Sequence, residues 1–175
     1  SEEEELRKLE RRLEELMKEY KEALDKLREE HEKTLREYEK RVEDLEREHK
    51  KVLKKLVDDR GREDDKVRRY KEEVDRLKDH SRKAKETYEK KVRDLVRHSK
   101  EFLDELRRKV KELKDRLTDL DDLRRKVDKL RKEVEDHVRE LEKKSRKLVE
   151  ELKDHLRKLE EESRRLNREL EERSR

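Results

Sequence analysis

Residues 111–127 read KELKDRLTDLDDLRRKV, and whether this stretch is one helix or the join of two decides the fold. It holds no Gly or Pro, so nothing in its composition stops a helix from running straight through. Apolar and small residues before it follow one stripe: Val92, Leu95, Ser99, Phe102, Leu106, Val110, Leu113 and Leu117. Those after it follow another: Leu120, Leu123, Val127, Leu130 and Val134. Both step by three and four, as one face of a helix requires. They are out of phase, however. Against a period of 18 residues the later stripe sits one position early, a swing of about 100° around a continuous helix. One helix would turn its second apolar face away from the first, so the spacing predicts a break at TDLDD (118–122). Thr118 and Asp121 are placed there as a capping box.

Working outward, VDDRGREDD (57–65) marks a second break. Gly61 suits the left-handed position just past a helix, and Asp64 or Asp65 suits the N-cap of the next. The stripe before it runs from Leu6 to Leu56 through Leu13, Tyr20, Leu27, His31, Tyr38, Leu45 and His49. Three helices result, at about 2–58, 64–117 and 119–173, and short turns make neighbours antiparallel. The expected fold is all-α: a long, nearly straight, coiled-coil-like antiparallel three-helix bundle, up-down-up, forming a single domain over residues 1–175. Straightness follows from the period. Leu6, Leu24 and Val42, or Val74, Val92 and Val110, recur at 18 residues, five whole turns, whereas sustained heptads would supercoil the bundle.

Composition agrees. Of 175 residues, 64% are charged and 26% hydrophobic, with one Gly and no Pro, Cys or Trp, the mixture of long helices. Disorder normally goes with high net charge and no periodicity, but here 58 basic residues face 54 acidic ones and the apolar residues are strictly spaced. The interleaved charges form no phosphate-tracking stripe and no aromatic platform accompanies them, so nucleic acid is not an expected partner. No apolar run reaches the ~20 residues of a membrane span. SEEEEL (1–6) is acidic where a secretory leader would be basic, so neither membrane nor targeting signal is expected. Without cysteine there is no disulfide and no thiolate ligand or nucleophile.

The polar residues of the stripes obey the same interval. His31 and His49, His80 and His98, and His137 and His155 are each 18 apart. So are Tyr20 and Tyr38, Tyr70 and Tyr88, Ser81 and Ser99, and Ser145 and Ser163. Folding the three helices back at the two turns brings these residues level in four groups. Tyr20 meets His98, Ser99 and His137, while Tyr38 meets His80, Ser81 and His155. His31 meets Ser145 and Tyr88, while His49 meets Ser163 and Tyr70. A buried hydroxyl or imidazole without a partner costs about 1–3 kcal/mol, which groups that satisfy one another avoid. The expected role is therefore a buried hydrogen-bond network that fixes helix register.

Sharper chemistry has less behind it. Adjacent His-Ser pairs do not face each other on a helix, and a continuous bundle offers no oxyanion hole, so no enzyme activity and no catalytic residue is expected. Histidines on one helix stand about 27 Å apart and cannot share an ion. His98 with His137, or His80 with His155, could still attract metal, but no metal or cofactor is expected. Protonation of buried histidine is the main functional alternative, giving a pH-responsive switch, with a His-based metal binder beside it. No partner is required and a monomer is favoured. Met17, Leu53, Val57, Val96, Leu103 and Val149 widen the stripes and leave self-association open.

The chain has no Ile or Gln and a single Asn, Asn167. Leu-Val cores, Glu/Lys/Arg surfaces, cloned intervals and repeated polar layers resemble de novo designed helical bundles with buried hydrogen-bond networks, over the whole chain. The resemblance implies a structural scaffold with no natural biochemical activity. In that class, histidine networks serve both to specify structure and to build pH-triggered assemblies.

Overall fold

The computed structural model describes residues 1–61, 64–115 and 119–173, with the backbone alone for 171–173. It is all-α: α1 spans Glu2–Arg60, α2 Asp65–Asp115 and α3 Leu120–Arg173. They form a three-helix bundle. The bundle divides into two compact units, Ser1–His31 with Lys91–Lys147 and Glu32–Lys90 with Leu148–Arg175.

Each helix begins where a side chain can satisfy its first amides. Asp64 accepts from the N–H groups of Lys66 and Val67, both at 3.1 Å, and its carbonyl accepts from Arg68. Asp64 therefore takes the cap position that the sequence left open between Asp64 and Asp65. Those bonds, the Val67 amide first, and the paired Arg60 guanidinium hold its carboxyl below the ordinary range. At α3, Asp119 accepts from the Asp121 N–H at 3.1 Å and its carbonyl from Leu123. The described cap is thus Asp119. Leu117 and the expected capping residue, Thr118, lie outside the described residues. Gly61 ends α1 with φ +66°, and its N–H donates to the Val57 carbonyl at 2.9 Å, a left-handed C-terminal stop.

In the first unit, α1 and α3 run parallel, with Glu5 paired to Arg124 and His31 bonded to Ser145. There α2 and α3 run antiparallel, as Phe102 lies against His137 and Lys109 pairs with Glu133. Its core is a continuous apolar cluster that includes Leu13, Tyr20, Leu106 and Val134, all essentially sealed from solvent. Leu103, which the sequence left as a possible partner-facing residue, is buried in it. In the second unit, Tyr38 lies against Ser81 and His49 against Tyr70, so α1 and α2 run antiparallel. His49 with Ser163 and Arg41 with Glu160 set α1 parallel to α3. Leu56, Val67, Tyr70 and Val74 form a core cluster there, with Leu166 and Leu170 packed on it.

Each fully buried leucine contributes about 2 kcal/mol, against a few tenths for an exposed ion pair, so the stripes hold the bundle and the charges mainly solvate it. Met17, Leu53, Val57, Val96 and Val149 are half-buried, and no large hydrophobic residue is exposed among the described ones.

Candidate functional site

Helical periodicity puts His31 and His49 on the inward face of α1 and Ser145 and Ser163 on that of α3. The structure joins them: His31 Nε2 lies 3.0 Å from Ser145 Oγ, and His49 Nε2 lies 3.1 Å from Ser163 Oγ. All four side chains are buried. Burial removes water from the imidazolium and lowers both histidine pKa values. Glu30 opposes that shift at His31. At His49, Glu48 and Glu46 oppose it while Lys78 reinforces it.

The His49 ring is asymmetric in its bonding. Its Nδ1 is buried and, among the described residues, has no hydrogen-bond partner. An enclosed N–H without an acceptor is rarer and costlier than a bare acceptor nitrogen. The neutral ring is therefore assigned the Nε2–H tautomer, with Nε2–H donating to Ser163. Tyr70 meets this ring edge-on, with centroids 6.2 Å apart at 82°. The single Tyr70 hydroxyl proton has two acceptors within reach, Asn167 Oδ1 at 3.1 Å and the His49 carbonyl at 3.4 Å. The shorter bond goes to Asn167.

The other tyrosines use different acceptors. Tyr38 donates to the Ser81 backbone carbonyl at 2.9 Å, and Ser81 Oγ donates to the Lys78 carbonyl one turn back. Ser99 Oγ likewise donates to the Leu95 carbonyl and is also hydrogen-bonded with the Tyr20 side chain. Tyr88 bonds the side chain of Thr34. Burial raises the pKa of all four phenols, pushing Tyr38 and Tyr88 up to about 12.

Four of the six histidines are not where the sequence put them. His80, His98, His137 and His155 are exposed. On a helix, adjacent residues point about 100° apart. Ser81 and Ser99 occupy the inward positions, which turns His80 and His98 outward; His98 Nδ1 sits 3.5 Å from Glu101 on the same face. On α3, Val138 and Leu156 take the inward slots beside His137 and His155. His137 still finds an apolar seat, stacked on Phe102 at 3.7 Å and 19°, while Phe102 meets Tyr20 edge-on at 4.7 Å.

Asn167 and Thr34 are the polar partners that the sequence reading missed. Neither follows the 18-residue rule, since Val149 and Val52 stand at the corresponding positions. The available signal was that Asn167 is the only Asn in the chain and directly follows the stripe residue Leu166.

No three His, Cys, Asp or Glu groups are placed to hold a metal among the described residues, and no described helix is long and apolar enough to cross a membrane. A surface groove of about 610 Å³ between α2 and α3 of the second unit has Leu77, Leu166 and Leu170 in its lining. Four basic residues, Lys66, Arg69, Arg76 and Arg165, and four acidic ones, Glu72, Glu73, Glu162 and Glu169, complete it, so it carries no net ionic preference.

Fold and site together define a helical bundle whose core is interrupted by pairs of hydrogen-bonded side chains. Comparison with known proteins brings no match: no family model fits the chain, and no curated protein and no solved structure is similar to it.

Proposed function

We propose that this chain is a designed structural scaffold without enzymatic activity, in which buried imidazole–hydroxyl and phenol–acceptor bonds fix the rotation and register of the helices within each unit. The observation that carries this reading is the pair of His–Ser bonds, each between α1 and α3 and each spanning the same 114 residues. A leucine in any of these places would bury more apolar surface but would accept several helix rotations. A hydrogen-bonded pair tolerates one, because every other leaves a buried polar atom unsatisfied. The cloned spacing, the narrow alphabet and the lack of a related family support design as the origin. A single chain closes its own core, so a monomer is part of the proposal.

The test replaces His31, Ser145, His49 and Ser163 with Leu, Val, Leu and Val. The expected product is at least as stable to heat but loses its single register, seen as broadened distances between spin labels on α1 and α3 and as mixed masses in sedimentation. A variant that keeps one sharp distance and one mass would remove the specificity role.

A proton-responsive role is the second reading. It is favoured by the burial of His31 and His49, whose pKa values are both lowered.

A further inference from the structure

The two His–Ser pairs are copies in sequence but not in surroundings, and the difference lies at one nitrogen. We propose that His49 is the proton-triggered release point of the second unit: a proton taken up at Nδ1 needs water as its acceptor, and the water it admits opens the buried contact between His49 and Ser163 and parts α1 from α3 there, while the His31–Ser145 pair of the first unit holds. The proposal rests on reading the pairs as the elements that lock α1 to α3.

A histidine that gains a proton acquires a second N–H, which must find an acceptor or water. At His49, Nε2 is already committed to Ser163, and Nδ1 is enclosed with no protein acceptor among the described residues. The neighbouring Tyr70 hydroxyl donates to Asn167 and makes no hydrogen bond to Nδ1. The charges facing the ring are divided. Glu46 and Glu48, on α1 itself, favour the cation, and Lys78 of α2 disfavours it. From α3 the ring is met by the uncharged Ser163 hydroxyl. Neither acidic group reaches Nδ1 as a hydrogen-bond partner, so the extra proton is accommodated only when water enters. His31 differs on both counts. Glu30 favours its cation, and no orphan nitrogen is found on its ring among the described residues.

The test uses the full chain. Amide hydrogen exchange is followed from pH 7.5 to 5.5 and corrected for the intrinsic pH dependence of exchange. Protection around residues 49 and 163 is expected to fall by up to about tenfold per pH unit, the limit for uptake of one proton, with a smaller fall around 31 and 145. His49→Leu should abolish the acid-induced loss around residues 49 and 163, and His31→Leu should leave that loss intact. Equal losses at both pairs in the unaltered chain, or a loss around residue 163 that survives in His49→Leu, would overturn the proposal. Should His49→Leu fail to fold, nitrogen-15 spectra of the histidines in the unaltered chain decide: a neutral His49 carrying its proton on Nδ1 overturns it, and one carrying it on Nε2 supports it. If both His31 and His49 titrate like the four exposed histidines, the locking role itself falls. If both titrate late but open together, only the assignment to His49 does.

Discussion

His49 Nε2 and Ser163 Oγ lie 3.1 Å apart across 114 residues of chain, and the same span joins His31 to Ser145 at 3.0 Å. The equality follows from α1 and α3 running parallel with polar positions copied at whole turns. A shift of one block along α1 would pair His31 with Ser163. The pairs therefore fix helix rotation and, on their own, register only to within one 18-residue block. The shortness of both connections, from Arg60 to Asp65 and from Asp115 to Leu120, excludes the shifted arrangement.

Removing one acceptor measures what each pair contributes. Ser163→Ala leaves His49 with both ring nitrogens unpaired in a buried site, and Ser145→Ala strips His31 of its serine. Each should destabilise the chain by about 1–3 kcal/mol in urea unfolding. A double-mutant cycle with His→Leu should recover part of that loss, since the bare imidazole is then gone; additive effects would mean the bond contributes nothing.

Acid should weaken the fold in a definite window. The folded pKa values of His31 and His49 are lowered, so above the unfolded value of about 6.5 both states are neutral and stability is flat. Below it the unfolded chain binds protons that the folded chain refuses, and stability falls until pH passes the folded values. Asp64, Asp79 and Asp128, held low by their hydrogen bonds, begin to matter only nearer pH 4. The urea midpoint should therefore be constant from pH 8 to 7 and decline as pH falls below about 6.5. The His31→Leu/His49→Leu double variant should show no decline there.

Asn167 is the least anticipated partner. Asn167→Ala removes the nearer acceptor of the buried Tyr70 hydroxyl, leaving the His49 carbonyl at 3.4 Å. A loss of about 1 kcal/mol is expected, and none should appear when Tyr70 is first changed to Phe. An equal loss in the Phe background would mean Asn167 acts elsewhere.

Gly61 tests the first turn. A Cβ there would meet nothing within 4 Å, so Gly61→Ala costs only the backbone strain of φ +66°, about 1 kcal/mol. Gly61→Asn should cost less, because Asn tolerates the left-handed region. Equal thermal midpoints for both variants would argue against a left-handed turn.

Much of this was legible in the residues. The 3–4 stripes marked the helices, Gly61 marked the first join, and the phase change across 111–127 marked the second. Copying at 18 residues paired His31 with Ser145 and His49 with Ser163, because whole turns carry each residue to the same face wherever it sits along the axis. Tertiary packing settled what lies within one residue of a stripe's edge. His80 and Ser81 differ by a single step, and so do His137 and Val138. Only the facing helices select which member goes inward, and they select the smaller or the apolar one. They seat Phe102 between Tyr20 and His137, bring Asn167 to Tyr70, and leave His49 Nδ1 without a partner among the described residues. Those outcomes depend on side chains from separate helices meeting at one level, and periodicity along one helix carries no information about that.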